Sequence, residues 1–274
     1  MSKDWRDRLE AFFELRARQV ASEPTLDDLC YIAGRNPALW TDEHLLADMK
    51  ASIVGLLHLN DASSVLEVGC AAGLVALLVA PCTSKYVGVD LAEAPIQVAR
   101  QLKLQNATFM QGEGERLQFG DRKFDAAFCY DVLSNFPSFA SAEPLIMEML
   151  RVVRPGGRVL IGSVPDQSKI SEAQEIAERL AAGFLAQADR PPLTSLIKTK
   201  PKSSWFWKAL GPLGFAGGAA KQSVEVKPQV TSYCFNKEDF ISFGERAQLE
   251  TKVVDIHPLN PYRGTRFNVL FIAK

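Results

Sequence analysis

Histidine is scarce in this chain, with three among 274 residues: His44, His58 and His257. Spread so widely, they give no cluster of histidines and acids at ligand spacing, and no metal is expected. Five cysteines (Cys30, Cys70, Cys82, Cys129 and Cys234) are odd in number and lack Cys-x-x-Cys spacing. That excludes a disulfide framework or zinc site and suits reduced thiols in the cytoplasm. An excess of one charge is also missing. Lysine and arginine total 31 against 32 acids, a net charge of −1, so there is no general basic footprint for nucleic acid. No apolar run approaches ~18 residues, and the opening MSKDWRDRLE has no apolar signal core. Neither stable membrane insertion nor export is expected.

What remains is a chain that is 47% hydrophobic, enough for a sizeable core. Residues 1–60 read as a helical cap of three helices: 4–20, about 25–34 and 42–57. From residue 64 strands and helices alternate. Strands are expected at 64–68, 85–90, 107–111, 124–130 and 157–164, with helices at about 73–80, 93–104 and 141–151. This alternation predicts an α/β fold with a doubly wound, Rossmann-like, mostly parallel sheet. Residues 61–165 form its core and 166–235 a helical and irregular insertion expected to cap the substrate. Residues 236–274 return a helix, with Asn236 and Asp239 as a capping-box-like start, and two final strands. These lie near 251–257 and 266–273, making seven in all, and the short turn between them makes them antiparallel to each other.

The stretch SVLEVGCAAGLVALL carries the chemistry. An aliphatic strand stops at Glu67-Val68, passes through Gly69-Cys70-Ala71-Ala72-Gly73, and resumes as an apolar helix. A turn so stripped of bulk at a strand's carboxyl end lets backbone N–H groups approach a ligand closely. Its spacing is Gly-x-x-x-Gly, without the middle glycine of a dinucleotide binder, which disfavours a nicotinamide-dependent oxidoreductase. Asp90 ends the second strand, where a carboxylate can accept from both hydroxyls of a ribose. Capping the following helix is its plainer role.

VLEVGCAAG, VGVDLAEAPIQVAR, GEGERLQF, FDAAFCYDVLSNF and LRVVRPGGRVLIG, in this order, resemble the motifs of class I S-adenosylmethionine-dependent methyltransferases over about residues 60–165, with a weaker echo in 232–274. The resemblance implies S-adenosylmethionine as cofactor. It implies that Gly69, Cys70, Ala71 and Gly73 approach its methionine portion and that Glu67 organises the loop. Asp90 would hold the ribose and Leu91 pack on the adenine. Glu113 would accept from the adenine amino group beside the Gly114 N–H, and Cys129, by its carbonyl, and Tyr130 would lie near the amino acid end. Glu-Gly stands at 113–114 where the family more often has Asp-Ala.

The expected reaction is methylation of a small molecule, at oxygen in a sugar, glycan precursor or secondary metabolite. Methylation at nitrogen or carbon, and a binding protein of this fold without catalysis, remain open. An alcohol acceptor needs a base, for which His257, Asp131 and His44 are the candidates. Asn135, Tyr262 and Arg263 are placed at the substrate, and His58 is taken as structural within its apolar helix. In the insertion, Trp205 and Trp207 stand among lysines before a glycine-rich apolar run. Three readings apply there: a packed loop, a lid stacking on the acceptor, or peripheral membrane contact through 198–220.

Overall fold

The computed structural model describes residues 4–20, 23–188 and 232–274. Four helices stand where the sequence predicts three. α1 (Asp4–Arg18), α2 (Leu26–Ile32) and α4 (Glu43–Leu57) are the expected ones, and α3 (Pro37–Trp40) is an extra turn. It forms because Asn36 accepts from the Ala38 N–H and Pro37, with no N–H to satisfy, stands at its first position. Thr25 and Asp28 cap α2 reciprocally, and Asp42 caps α4 by accepting from the Leu45 N–H at 2.9 Å. His58 is not inside that helix. It is the exposed left-handed residue (φ 53°) that ends it.

The strands are β1 (Ser64–Val68), β2 (Lys85–Asp90), β3 (Ala107–Gln111), β4 (Phe124–Tyr130), β5 (Val153–Pro165), β6 (Glu250–Asp255) and β7 (Arg266–Ile272). They form one sheet in the order β3-β2-β1-β4-β5-β7-β6. β1 to β5 pair in parallel, and β7 runs antiparallel to both β5 and β6. β6 therefore points the same way as the first five strands. β5 is longer than expected because the Gly156-Gly157 turn stays in the ladder. The Gly156 N–H donates to the Ala273 carbonyl and the Ala273 N–H to the Gly157 carbonyl, both at 2.8 Å.

Alternation along each strand splits the core between the two faces. Val65, Tyr86 and Phe128 pack with Trp40, Met49 and Ile53 and with α5 (Leu74–Val79) and α6 (Glu93–Gln101). Leu66, Val87 and Ala127 face α7 (Phe139–Val152) and the helix Lys237–Arg246, here α9. α8 (Ile170–Ala188) follows β5. Asn236 stands at the start of α9, but its side chain makes no capping bond, so the expected box does not form. Strand order reverses between β1 and β4. In an open sheet of this kind, the crevice beyond the strands' carboxyl ends at that reversal is where ligands bind.

Candidate active site

At that reversal the ends of β1, β2 and β4 enclose a cleft roofed by α1. The roof is fixed at three points. Trp5 packs on Phe136 with ring centroids 5.0 Å apart, Arg6 pairs with Glu115, and Glu14 accepts from the Ala94 N–H at 2.8 Å.

The glycine loop forms the floor. Gly69 (φ 79°), Ala71 (φ 44°) and Gly73 (φ 83°) are all left-handed. The Gly69 and Cys70 N–H groups donate to the Val89 carbonyl, and the Ala71 N–H donates to Asp90 Oδ2 at 2.7 Å. Asp90 Oδ1 accepts from the Ala92 N–H at 3.0 Å. Asp90 thus ties the loop to β2 and makes a local turn, while the residue that starts α6 has no side-chain cap. Burial raises the Asp90 carboxyl above its ordinary value, opposed by the N–H groups of Ala92, Ala71 and Leu91. Each of its oxygens keeps acceptor capacity for a ligand hydroxyl.

Gly69, Cys70 and Ala71 line the cleft, and Gly73 does not. A side chain at Gly73 would press on Leu102 of the α6 end at 2.8 Å, so this glycine serves helix packing and the left-handed start of α5. Leu91, Glu113 and Gly114 line the opposite wall. Gly114 packs closely on Val68 and Leu145, 2.7 and 2.8 Å from where a Cβ would stand, so a side chain there would have to displace their ends.

Glu67 lines the inner end and is 2% exposed. Burial pushes its carboxyl up to about 8, against the lowering effect of the Tyr86 hydroxyl that donates to Oε2 and of the Arg35 charge. Beside it stand Tyr130, Asp131 and Asn135. Asp131 is left-handed (φ 62°) and held on both oxygens: Arg35 Nη2 donates to Oδ2 at 2.7 Å and Arg266 Nη1 to Oδ1 at 2.6 Å. Arg266 Nη1 also meets the Ser163 carbonyl and hydroxyl at 3.1 Å, where Ser163 is itself left-handed (φ 59°) in a break of β5–β7 register. Held by an arginine on each oxygen, Asp131 anchors the N-terminal helices to β7.

The histidines do not reach the cleft. His44 is exposed in the first turn of α4. The His257 side chain is fully buried, with Nδ1 3.1 Å from Asp48 Oδ2 and Nε2 3.2 Å from Asn260 Nδ2. Asn260 Oδ1 accepts the Tyr262 N–H at 2.9 Å, which turns its NH2 toward the imidazole. Nε2 is then an acceptor and Nδ1–H donates to Asp48. Burial holds the imidazole below its ordinary pKa, with Asp48 opposing. His257 is a neutral tie between α4 and the β6–β7 connection, and its expected role as base is corrected.

The Cys129 thiol packs in the core on the α7 face and is pushed far up by burial. Tyr262 lies half-buried with the Arg266 guanidinium 4.8 Å from its ring, Arg263 is exposed, and neither lines the cleft. Trp205 and Trp207 lie outside the described residues. Sequence reasoning missed Arg35, Arg266 and the α1 roof. Only Trp5, Leu9 and Phe13 at helical spacing hinted at the last. Among the described residues no group of three His, Cys, Asp or Glu could hold a metal ion, and no helix is long and apolar enough to cross a membrane.

A seven-stranded sheet of this order, with a glycine loop after β1 and an acid ending β2, is the class I S-adenosylmethionine-dependent methyltransferase fold. Residues 66–161 match the methyltransferase domain family. Over 104 residues the chain is 34% identical to the ubiquinone biosynthesis O-methyltransferase of Alkalilimnicola ehrlichii, covering 36% of this chain and 41% of that one. The chain thus spans less than half the length of that relative. It shares the fold of solved structures, two of them as follows. For DhpI in its SAM–HEP complex the TM-score is 0.58 at 14% identity, covering 99% of each chain. For a possible histamine N-methyltransferase of Thermotoga maritima it is 0.54 at 14%, covering 97% of this chain and 100% of that one.

Proposed function

We propose that this chain transfers a methyl group from S-adenosylmethionine to a small-molecule acceptor. The observation that carries the reading is Asp90, fixed by the Ala71 and Ala92 N–H groups beside a left-handed glycine loop at the strand-order reversal. That arrangement suits a ribose next to a close backbone approach. The cofactor supplies an electrophilic methyl group on a sulfonium. The protein's part is to bind, orient and exclude water around an in-line displacement.

What lines the inner end bears on the choice of acceptor. The sequence reading favours oxygen in a sugar, glycan precursor or secondary metabolite. An unactivated sugar hydroxyl needs a base. Yet none of the chain's three histidines lines the cleft, and both Asp131 oxygens are held by arginines. The geometry therefore favours an acceptor that loses its own proton readily, such as a phenol or enol of a secondary metabolite, or one that needs no base, such as a neutral amine. Because no histidine lines the cleft among the described residues, a cofactor-binding protein without turnover is the second reading.

Calorimetry with S-adenosylhomocysteine and transfer of radiolabelled methyl to panels of phenols, amines and sugars test both. Binding with turnover on phenols or amines supports the proposal. Binding with no turnover on any panel supports the second reading, and absence of binding removes both.

A further inference from the structure

The contacts that hold α1 over the cleft are unevenly spread along it. Its carboxyl-terminal end is bound to the core. Ala17, 4% exposed, is the one fully buried residue of α1 among those described. Beside it the Arg16 Nε–H donates to the Tyr31 carbonyl at 2.6 Å, and the guanidinium lies 3.8 Å from the Tyr31 ring and 5.0 Å from that of Phe12. The Tyr31 hydroxyl donates to Gln19 Oε1 at 2.7 Å, just past the helix end. Tyr31 belongs to α2, whose Leu29, Cys30 and Ile32 are wholly buried. Glu14, accepting from the Ala94 N–H at the start of α6, adds to this anchorage.

The amino-terminal half has no such footing. Trp5, Arg6, Leu9 and Glu10 are only half-buried, and all four line the cleft. Two contacts join this half to the far wall: the Trp5 ring on Phe136, after β4, and the Arg6 ion pair with Glu115, after β3. The Arg6 side chain is 34% exposed, so water and salt reach the pair and it holds weakly. From Ala17 to Trp5 the helix is a lever about 18 Å long. A small tilt at the anchored end therefore lifts the other end clear. Asp90 and the glycine loop lie on the opposite side of the same cleft, so a nucleoside held there is covered by the helix.

We propose that α1 is a lid hinged at Arg16 and Ala17, and that the cofactor enters and leaves when Trp5 and Arg6 unlatch from Phe136 and Glu115. The inference rests on the cofactor reading above. Stopped-flow mixing with S-adenosylhomocysteine tests it. Association is followed against ligand concentration and dissociation by displacement, for wild type at low and high sodium chloride and for E115Q, R6E and the charge-swapped R6E/E115R, with Tm as the check on folding.

A lid predicts that the wild-type association rate levels off as ligand rises, because opening becomes limiting. E115Q should raise both the levelling rate and the dissociation rate about threefold, the worth of a partly exposed pair. High salt should do the same to wild type and little to E115Q. R6E should be faster still, and R6E/E115R should return toward wild type. A fixed roof predicts instead an association rate that climbs linearly with ligand, and an E115Q that alters dissociation alone. That pattern overturns the lid and leaves the cofactor reading standing. The wild-type salt series needs no substitution, so it decides the matter even where a variant folds poorly. Wild type that binds no S-adenosylhomocysteine would remove the cofactor reading, and the lid with it.

Discussion

Replacing Glu67 with Gln should change how stability depends on pH, with a sign that the buried position of this residue dictates. In the fold its carboxyl is raised from 4.5 to about 8, chiefly by burial. A raised acid binds its proton more tightly folded than unfolded. Between pH 4.5 and 8 the unfolded chain has released this proton and the folded chain has not. Glu67 therefore makes stability fall by about 1.4 kcal/mol per pH unit across that window, levelling above pH 8. Over the 3.5 units between the two values the loss reaches about 5 kcal/mol. Gln has no proton to release and still offers an oxygen to the Tyr86 hydroxyl. Urea unfolding of both proteins from pH 5 to 9, compared as the difference wild type minus E67Q, cancels every other titrating group. That difference should decline steadily to pH 8 and then flatten. A flat or rising difference would mean that Glu67 is ionised in the fold, and the reasoning about burial would be refuted.

Asp90→Ala should weaken S-adenosylhomocysteine binding by about 1–3 kcal/mol in calorimetry, and an unchanged affinity would remove Asp90 from the ribose. Asp131→Asn leaves buried Arg35 and half-buried Arg266 short of their counter-charge and should cost about 3 kcal/mol of stability by chemical denaturation. A loss under 1 kcal/mol would mean that the pairs hold little. His257→Ala should lower Tm while turnover per folded molecule stays within about threefold, since a base would be worth 10²–10⁴-fold. A loss of that larger size at unchanged Tm would restore His257 as the base.

Much of the fold was legible because it rests on local periodicity. β1 to β4 begin and end where apolar and β-branched runs do, and the short connection between β6 and β7 fixes their antiparallel pairing. The loop and Asp90 were legible too, since five small residues after a strand and an acid ending the next have few other uses. What was hidden depends on partners far apart in the chain. Arg35 and Asp131 are 96 residues apart, and Asp131 and Arg266 are 135 apart. No pattern around Arg35 marks it as a buried partner, because its environment is assembled from α3, α4 and β4. His257 misled for the same reason. The strand it was read to end stops at Asp255, and Asp48 and Asn260 occupy both its nitrogens.

The ties across the inner end also impose an order in time on a chain made from its amino terminus. The loop, Asp90 and the strands that carry them are all synthesised by residue 130. Arg35, Asp48 and Asp131 are made early as well, but partners that hold Asp48 and Asp131 arrive only with His257 and Arg266. A nascent chain can thus shape the nucleoside end of its cleft while its charged inner end is still loose. The contacts that close the inner end cannot be complete until the last twenty residues or so have been made.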